Sequence, residues 1–229
     1  MKKNKKKKCI IAAVGKESLH HNWIDKSDGF DLHLIVYDDS FEKYKNDTVL
    51  IQQSKGQKFK LIYDYLTSNI DILNQYDYFY IPDDDILIDV ENIHHLFDYM
   101  EKYKLAIAQP ALTNSYYSYL ITVRKPDTLL RYTNFIEMMQ PCFSRKALKK
   151  VLFTFNENAS GWGIDFHWGI LVDFRYYNMA IIDDVISVHT RPVRSNHFEE
   201  FTEYLKKYNL ARVTLEIESV NKPAITEQP

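Results

Sequence analysis

Short apolar segments alternate with amphipathic segments through the first half of the chain. A continuous apolar run bounded by turn residues predicts a buried strand, and apolar residues at i, i+3, i+4 and i+7 predict a helix. The runs predict strands over residues 9–14, 32–37, 48–51, 76–81 and 105–108. The helical spacing predicts two helices, with apolar stripes over residues 59–66 and 93–100.

The pattern in the second half of the chain is mixed. Apolar runs predict strands over residues 119–123, 136–142, 179–182 and 186–189. Helices are predicted over residues 165–174 and 199–208, and a third carries its stripe over 147–155 with Ser144 as its N-cap. Two of the predicted strands are therefore separated by only a few residues.

Strands separated by helices indicate a mostly parallel sheet that is covered on both faces. We predict an α/β fold: a single domain with a mostly parallel central sheet flanked by helices, and mixed strands in the second half. The domain is expected over residues 9–194, after a basic disordered tail (1–8) and before a C-terminal helix and tail (195–229). In such sheets ligands bind beyond the carboxyl ends of the strands.

Composition places the protein among ordinary globular proteins, since 45% of its 229 residues are hydrophobic and 26% are charged. A net charge of −2 argues against nucleic acid as a partner, because nucleic-acid binders carry a basic excess. Cys9 and Cys142 lie in apolar segments and are predicted to be buried free thiols, which fits a reducing compartment. No apolar run approaches about 20 residues, the length of a membrane span. We therefore expect a cytoplasmic protein.

One basic block lies at the N-terminus and comprises Lys2, Lys3, Lys5, Lys6, Lys7 and Lys8. This block is either a solvated tail or a segment that is attracted to the anionic inner face of a membrane, where each lysine near the surface contributes about 1 kcal/mol to binding. The second reading allows peripheral membrane contact.

The clearest chemical signal is Asp83-Asp84-Asp85, which follows an aromatic strand and Pro82. In extended chain, residues two apart point the same way, so Asp83 and Asp85 are expected to converge while Asp84 faces elsewhere. Crowded carboxylates repel one another, and a hard divalent cation such as Mg²⁺ or Mn²⁺ relieves that repulsion. The alternative is an acidic surface turn.

A second signal is Gly161-Trp162-Gly163, followed by Asp165 at a predicted helix start. The glycines permit close approach of a ligand, and the Trp162 ring offers a face on which a sugar could stack. Asp165 is a candidate general base or hydroxyl acceptor. The alternative is a glycine turn with Trp162 in the core and Asp165 as a helix cap.

A third signal is His189 at a strand end, followed by Arg191 and Arg194. An imidazole could complete a site begun by two carboxylates, and arginines suit phosphate oxygens. Lys55 and Lys58 flank Gly56 before a helix, where phosphate could meet the helix N-terminus. Each of these could equally be an ordinary surface residue, and His20-His21 and His94-His95 read as surface pairs.

With these residues in view, the chain resembles the family known as domain of unknown function 707, whose members are glycosyltransferase-like. The ordered blocks that carry the resemblance run from Ala12-Ala13-Val14-Gly15 through Tyr76-Asp77-Tyr78, Asp83-x-Asp85, Gln109-Pro110-Ala111-Leu112, Ile121-Thr122-Val123-Arg124, Glu137-Met138-Met139-Gln140-Pro141-Cys142-Phe143-Ser144 and Gly161-Trp162-Gly163-x-Asp165 to Val188-His189. The order of elements is also similar to the glycosyltransferase-A fold.

The resemblance implies a glycosyltransferase that moves a sugar from a nucleoside-diphosphate sugar to a carbohydrate or lipid-linked acceptor. It implies Mn²⁺ or Mg²⁺ on Asp83, Asp85 and His189, and Asp165 as the catalytic base. The remaining predicted contacts are Asp83, Asp84, Lys55, Lys58 and Arg191 with the metal-bound diphosphate, and Trp162 and Gly163 with the acceptor. One departure is that Phe166, rather than a second acid, follows Asp165.

Two other functions stay open at this point: another metal-dependent enzyme of nucleotidyl or phosphoryl transfer, and a non-catalytic module that binds nucleotide sugar or carbohydrate. Frequent Lys, Asn, Ile and Tyr are typical of AT-rich microbial genomes. By association alone, this suggests surface-polysaccharide synthesis.

Overall fold

A computed structural model describes residues 7–27, 29–48, 50–193 and 196–223, so Lys2 to Lys6 and Arg194 lie outside the described residues. The strands are β1 (Lys8–Val14), β2 (Asp31–Val36), β3 (Leu50–Gln53), β4 (Tyr78–Tyr80), β5 (Ile86–Leu87), β6 (Ile107–Leu112), β7 (Thr128–Thr133), β8 (Cys142–Ser144), β9 (Met179–His189) and β10 (Glu216–Asn221). The helices are α1 (Phe41–Tyr44), α2 (Lys58–Ser68), α3 (Ile72–Gln75), α4 (Val90–Lys102), α5 (Arg145–Val151), α6 (Ile164–Val172) and α7 (Phe198–Lys207).

The strands form one mixed sheet in the order β10-β7-β9-β6-β8-β4-β1-β2-β3, and β5 pairs with the end of β9. Strands β3, β2, β1 and β4 are parallel to one another. Strand β8 runs antiparallel between β4 and β6, and β7 and β10 extend the other edge antiparallel. The predicted α/β fold, parallel in the first half and mixed in the second, is confirmed.

Strand β1 shows why the sheet needs helices on both faces. Every residue of β1 is buried, and successive side chains enter opposite layers. Ile10, Ala12 and Val14 join a core layer with the apolar face of α4. Cys9, Ile11 and Ala13 join the other layer, which contains the apolar residues of α2, α5 and α6. Cys9 and Cys142 are buried free thiols, as predicted.

Side-chain caps begin two of the helices, and the first of them, Ser144, was predicted. The side chain of Ser144 accepts a hydrogen bond from the N–H of Ala147 at the start of α5, as its prediction as an N-cap requires. The Asp89 carboxylate accepts from the N–H of Asn92 at 2.7 Å and caps α4.

The strand predicted over residues 136–142 is wrong, because only Cys142–Ser144 is a strand and the preceding residues form a loop. The carbonyls of this loop bond to the end of β4 instead: Met139 accepts from the Asp83 N–H and Pro141 from the Ile81 N–H. The strand predicted over 119–123 is also wrong, since Leu120–Thr122 is a 3-10 turn. The two short strands predicted within 179–189 are one strand, β9.

Strands β7 and β10 were not predicted. The antiparallel pairing of β10 with β7 places residues 216–221, in the segment expected as helix and tail, at the edge of the sheet. Lys8, expected in the tail, begins β1, and its ammonium pairs with Asp98 at 2.9 Å. His20 is fully buried rather than part of a surface pair. Across the described ranges, no helix has both the length and the apolar character to cross a bilayer.

Candidate active site

The three aspartates follow the carboxyl end of β4, at the edge of the sheet where ligands are expected. Strand β5 comes directly after them and pairs Ile86 with His189, which brings the end of β9 beside Asp85. Ligand atoms of Asp83, Asp85 and His189 all lie within 4.8 Å of one another. The predicted metal ligands are thus brought together by strand pairing.

The donor set suits a divalent cation. Asp85 is 8% exposed, and its Oδ1 is buried without a hydrogen-bond partner among the described residues. The Nδ1–H of His189 donates to the Tyr116 carbonyl at 3.0 Å, which directs Nε2 to Asp85 Oδ2 at 3.3 Å. A ring nitrogen held in this way by a carbonyl is typical of a metal-ligating histidine. Two carboxylates and one imidazole fit Mn²⁺ or Mg²⁺.

Charges around the cluster shift the pKa values of its members. Burial raises the pKa of Asp83, although the ammonium of Lys58 lies 2.7 Å from its Oδ1 and opposes the shift. Burial lowers the pKa of His189, but its bonds to Asp85 outweigh this and the net pKa is raised. The pKa of Asp85 is lowered, since His189 and Arg191 together outweigh burial. The carboxylates of the cluster are thus partly balanced by Lys58, His189 and Arg191.

Asp84 and Asp85 lie in a turn rather than in the extended chain that the prediction assumed, and Asp84 stays outside the cluster of ligand atoms. Its Oδ2 accepts from the Gly15 N–H at 2.9 Å and from the Tyr37 hydroxyl at 2.7 Å. Its Oδ1 pairs with Arg191 at 2.5 Å, and Arg191 also reaches Asp85 at 3.1 Å. Asp84 therefore holds the ends of β1 and β2 and orients Arg191.

One side of the cluster opens into the Lys58–Arg191 cavity, of about 440 Å³. Its lining residues are Ala13, Tyr37, Gly56, Gln57, Lys58, Asp83, Asp84, Asp85, Arg191 and Pro192. Helix α2 begins at Lys58, and Gln57 gives it no side-chain cap, so its positive end adds to two cationic side chains. Lys55 is exposed and lies outside this lining. The cavity suits an anionic ligand that also bears a metal.

The other side opens into the Trp162 cavity, of about 390 Å³. Its lining residues are Asp83, Asp85, Ser118, Tyr119, Glu137, Met138, Met139, Trp162, Gly163, Asp165, His189, Pro192, Val193, Phe201 and Arg212. The two cavities share Asp83, Asp85 and Pro192. A ligand in each would meet at the aspartates.

The backbone conformation and the close packing beside Trp162 both require glycine at positions 161 and 163. Gly161 and Gly163 have φ of 79° and 94°, a left-handed backbone that glycine adopts without strain. A Cβ on Gly161 would lie 2.8 Å from the Phe59 ring, and one on Gly163 would lie 3.3 Å from Tyr204. The turn is thereby pressed between α2 and α7, which fixes Trp162 at the cavity.

Asp165 lies in the first turn of α6 and is 3% exposed. Its Oδ1 accepts from the Phe166 N–H at 3.1 Å. Burial raises its pKa to about 7, and the backbone hydrogen bonds only partly offset this. A carboxyl with such a pKa is suited to take a proton near neutral pH.

Glu137, which the sequence did not single out as a site residue, is a second buried carboxyl in the same cavity. It is 4% exposed, and burial, reinforced by the charge of Asp165, raises its pKa to about 8. The sequence did contain a sign of it, because Glu137 is the one acid inside the apolar run 135–139. That run was interpreted as part of a strand, so the acid was not considered further.

A family model described as "Protein of unknown function (DUF707)" matches residues 2–134, which is more than half of the chain. Among curated proteins, no relative matches.

Several solved structures share the fold. S. aureus TarS 1-349 in complex with UDP-GlcNAc is 13% identical, with a TM-score of 0.57 over 88% of this chain and 65% of that one. The same protein in complex with UDP is 14% identical, with a TM-score of 0.58 over 85% and 63%. A further TarS structure is 12% identical, with a TM-score of 0.57 over 87% and 39%. The chain thus spans less than two thirds of each TarS chain, and the likeness confirms the predicted glycosyltransferase-A-like fold.

Proposed function

The chain belongs to the DUF707 family, and from its site we propose that it is a metal-dependent glycosyltransferase acting on a nucleoside-diphosphate sugar. The observation that carries this proposal is the cluster of Asp83, Asp85 and His189 between two cavities. One cavity offers cations for a diphosphate, and the other offers aromatic faces and a carboxyl for a hydroxyl-bearing acceptor. TarS has been solved in complex with UDP-GlcNAc and with UDP, which supports testing uridine nucleotides first.

In this proposal the donor diphosphate lies in the Lys58–Arg191 cavity. Asp83, Asp85 and His189 would hold Mn²⁺ or Mg²⁺, which as a Lewis acid neutralises charge that develops on the leaving diphosphate. Arg191 contributes a planar set of N–H donors that matches phosphate oxygens. Lys58 and the start of α2 contribute further positive charge, while Asp84 orients Arg191 and Lys55 stays peripheral.

The acceptor lies in the Trp162 cavity. Trp162 and Tyr119 offer aromatic faces to an apolar ring face, and Gly163 keeps the backbone close. Asp165 removes the proton of the attacking hydroxyl, a step that contributes about 10²- to 10⁴-fold to rate. We propose a carbohydrate or lipid-linked acceptor and a cytoplasmic site of action, peripheral to the inner face of a membrane where the N-terminal lysines allow it.

Thermal shift with UDP, with and without Mn²⁺, tests the binding half of this proposal. A ligand at about 100 times its Kd stabilises the native protein by about 2.7 kcal/mol, so UDP with Mn²⁺ should raise the Tm by several degrees. Asp85→Asn should abolish this shift. The control Asp77→Asn makes the same change at the opposite end of β4, where Asp77 pairs with Arg145, and should retain it.

Product analysis tests the catalytic half. Release of UDP from UDP-GlcNAc or another UDP-sugar supports glycosyl transfer, whereas pyrophosphate or UMP indicates nucleotidyl or phosphoryl transfer. Binding without consumption in the presence of acceptors indicates a non-catalytic module. UDP binding that stays unchanged in Asp83→Ala/Asp85→Ala would remove the metal site from the proposal.

A further inference from the structure

Glu137 is held in place by its backbone while one side-chain oxygen has no partner. Its N–H donates to the Gln109 side-chain oxygen at 2.6 Å, and Gln109 is itself fully buried in β6. Ser118 hydrogen-bonds to the Glu137 side chain. The second carboxyl oxygen, Oε2, is buried and bonds to nothing among the described residues. An unpaired buried oxygen destabilises a fold unless a ligand supplies the missing bond.

The neighbouring loop fixes Glu137 relative to the metal cluster. Lys58 Nζ donates to the carbonyls of Met138 and Met139 at 2.9 and 3.0 Å and pairs with Asp83 at 2.7 Å. The Asp83 N–H donates to the same Met139 carbonyl at 2.7 Å. The backbone that follows Glu137 is therefore tied directly to Asp83 and Lys58, which fixes the position of Glu137 in the loop.

The chemistry of the cavity favours a neutral hydroxyl as the missing partner. Arg212 lines the same cavity, and its guanidinium lies 5.3 Å from the Phe201 ring and 6.0 Å from the Tyr119 ring. Burial raises the pKa of Glu137 to about 8, so near neutral pH its carboxyl is largely uncharged and gives an ammonium group no full counter-charge. A hydroxyl donates to a carboxyl oxygen without adding charge.

We propose that Glu137 binds a second hydroxyl of the acceptor, beside the hydroxyl that Asp165 faces. This inference rests on the proposed function and deepens it. The acceptor is then a sugar ring or polyol with hydroxyls on neighbouring carbons, and a simple alcohol fills only half of the site. Glu137 acts through binding, so it affects acceptor affinity rather than donor affinity.

Saturation-transfer NMR on the protein with diamagnetic Mg²⁺ and UDP tests this with two probes of the same ring, vicinal cis-cyclohexanediol and cyclohexanol. We expect the diol to bind the wild type more tightly, and Glu137→Leu to weaken the diol about fivefold or more, the effect of one lost hydrogen bond. Cyclohexanol should bind both proteins alike. Glu137→Asp, which withdraws the carboxyl by one methylene, should weaken the diol although the carboxyl group is kept.

Thermal denaturation separates binding from a structural role. Glu137→Leu loses the bond to Ser118 but also removes the cost of burying an unpaired Oε2, so it should keep or raise the Tm. The control Glu157→Leu removes an acid outside the cavity that bonds to Tyr208 at 2.6 Å, and it should lower the Tm while leaving diol binding intact.

Equal diol binding by wild type, Glu137→Leu and Glu137→Asp would overturn the inference, and so would a preference of the wild type for vicinal cis-aminocyclohexanol over the diol. It would also be overturned if Glu137→Leu had a lower Tm or failed to fold while Glu137→Asp bound the diol as the wild type does. The UDP thermal shift is measured in the same samples. Its absence in the wild type, with diol binding still dependent on Glu137, would refute the proposed donor and leave the Glu137 site standing.

Discussion

The ion pair of Arg131 and Asp183 joins β7 to β9, the second and third strands from the β10 edge of the sheet. Arg131 is 1% exposed and Asp183 is fully buried. The guanidinium donates to both Asp183 oxygens, at 2.8 and 3.0 Å, and to the carbonyls of Ile121 and Val123, each at 2.8 Å. These contacts anchor the segment that follows Ser118 and Tyr119 in the Trp162 cavity.

We predict that Arg131→Leu strongly destabilises the fold, because it leaves the Asp183 carboxylate buried without its counter-ion. Breaking a buried pair in this way costs about 3–5 kcal/mol. A chain of this size loses about 2–4 °C in Tm per kcal/mol, so the Tm should fall by about 6–20 °C. Arg131→Lys should recover only part of the loss, because an ammonium cannot reproduce the planar fork.

Thermal unfolding followed by circular dichroism measures this effect. Lys125→Leu is the matched control, since Lys125 pairs with Glu216 at 2.6 Å but both side chains are partly exposed, 53% and 31%. An exposed pair of this kind contributes about 0–1 kcal/mol, which limits the loss in Tm to about 4 °C. Equal losses in Arg131→Leu and Lys125→Leu would refute the reasoning.

Three further predictions concern the site. Asp165→Asn should lower kcat by about 10²- to 10⁴-fold and leave the UDP thermal shift unchanged. Wild-type turnover should rise with pH through about 7 as Asp165 loses its proton. A flat pH profile together with a fully active variant would contradict the assignment of Asp165 as the base. Because the folded pKa of Asp165 is about 7 against an ordinary 3.8, its contribution to stability is full below pH 3.8 and is lost as pH rises through 7. As the pH rises from about 5 to 8, the free energy of unfolding of Asp165→Asn should therefore increase by about 2–3 kcal/mol relative to that of the wild type, measured by urea unfolding. If the difference between the two proteins is the same at both pH values, the raised pKa of Asp165 is contradicted. Gly163→Ala should lower the free energy of unfolding by about 1–2 kcal/mol because the φ of Gly163 is 94°. Gly169→Ala, where φ is ordinary, tests only crowding against the Asn134 carbonyl. An unchanged Tm of Gly163→Ala in a thermal melt would exclude backbone strain at this position. Lys58→Met should weaken UDP binding by calorimetry, with the exposed Lys55→Met as its control, and equal affinities would remove Lys58 from the diphosphate site.

The elements that the sequence predicted correctly are those whose signal is local. Strand β1 is an apolar run because both of its faces are buried, and α4 shows its stripe because only one face is. The three aspartates stood out because a buried strand and Pro82 precede them. The convergence of Asp83 and Asp85 was expected from extended chain, but in the structure Asp84 and Asp85 form a turn, which the Ile86 N–H closes on the Asp83 carbonyl at 3.2 Å.

The wrong or missed predictions share a different cause: the structure of these segments depends on residues that are distant in the sequence. Strand β7 contains Arg131, which is tolerated inside a sheet only because Asp183 meets it from β9. The loop before β8 reads as a strand because it is apolar, but its carbonyls are bound by β4 and Lys58. Glu137 is hidden in the same run, since only the tertiary fold reveals that one oxygen lacks a partner.

The sequence by itself determined the α/β fold class, the position of the acid cluster at a strand end and the tight glycine turn around Trp162, because these depend on repeat, polarity and backbone freedom within short segments. Tertiary structure alone decided which residues meet. The pairing of β5 with β9 brings His189 to Asp85, the carbonyls of 138 and 139 bring Lys58 to Asp83, and burial places Glu137 and Asp165 in one cavity. Such contacts join residues between 25 and 104 positions apart in the chain, and the free energy of each depends on exclusion of water that only the folded chain provides.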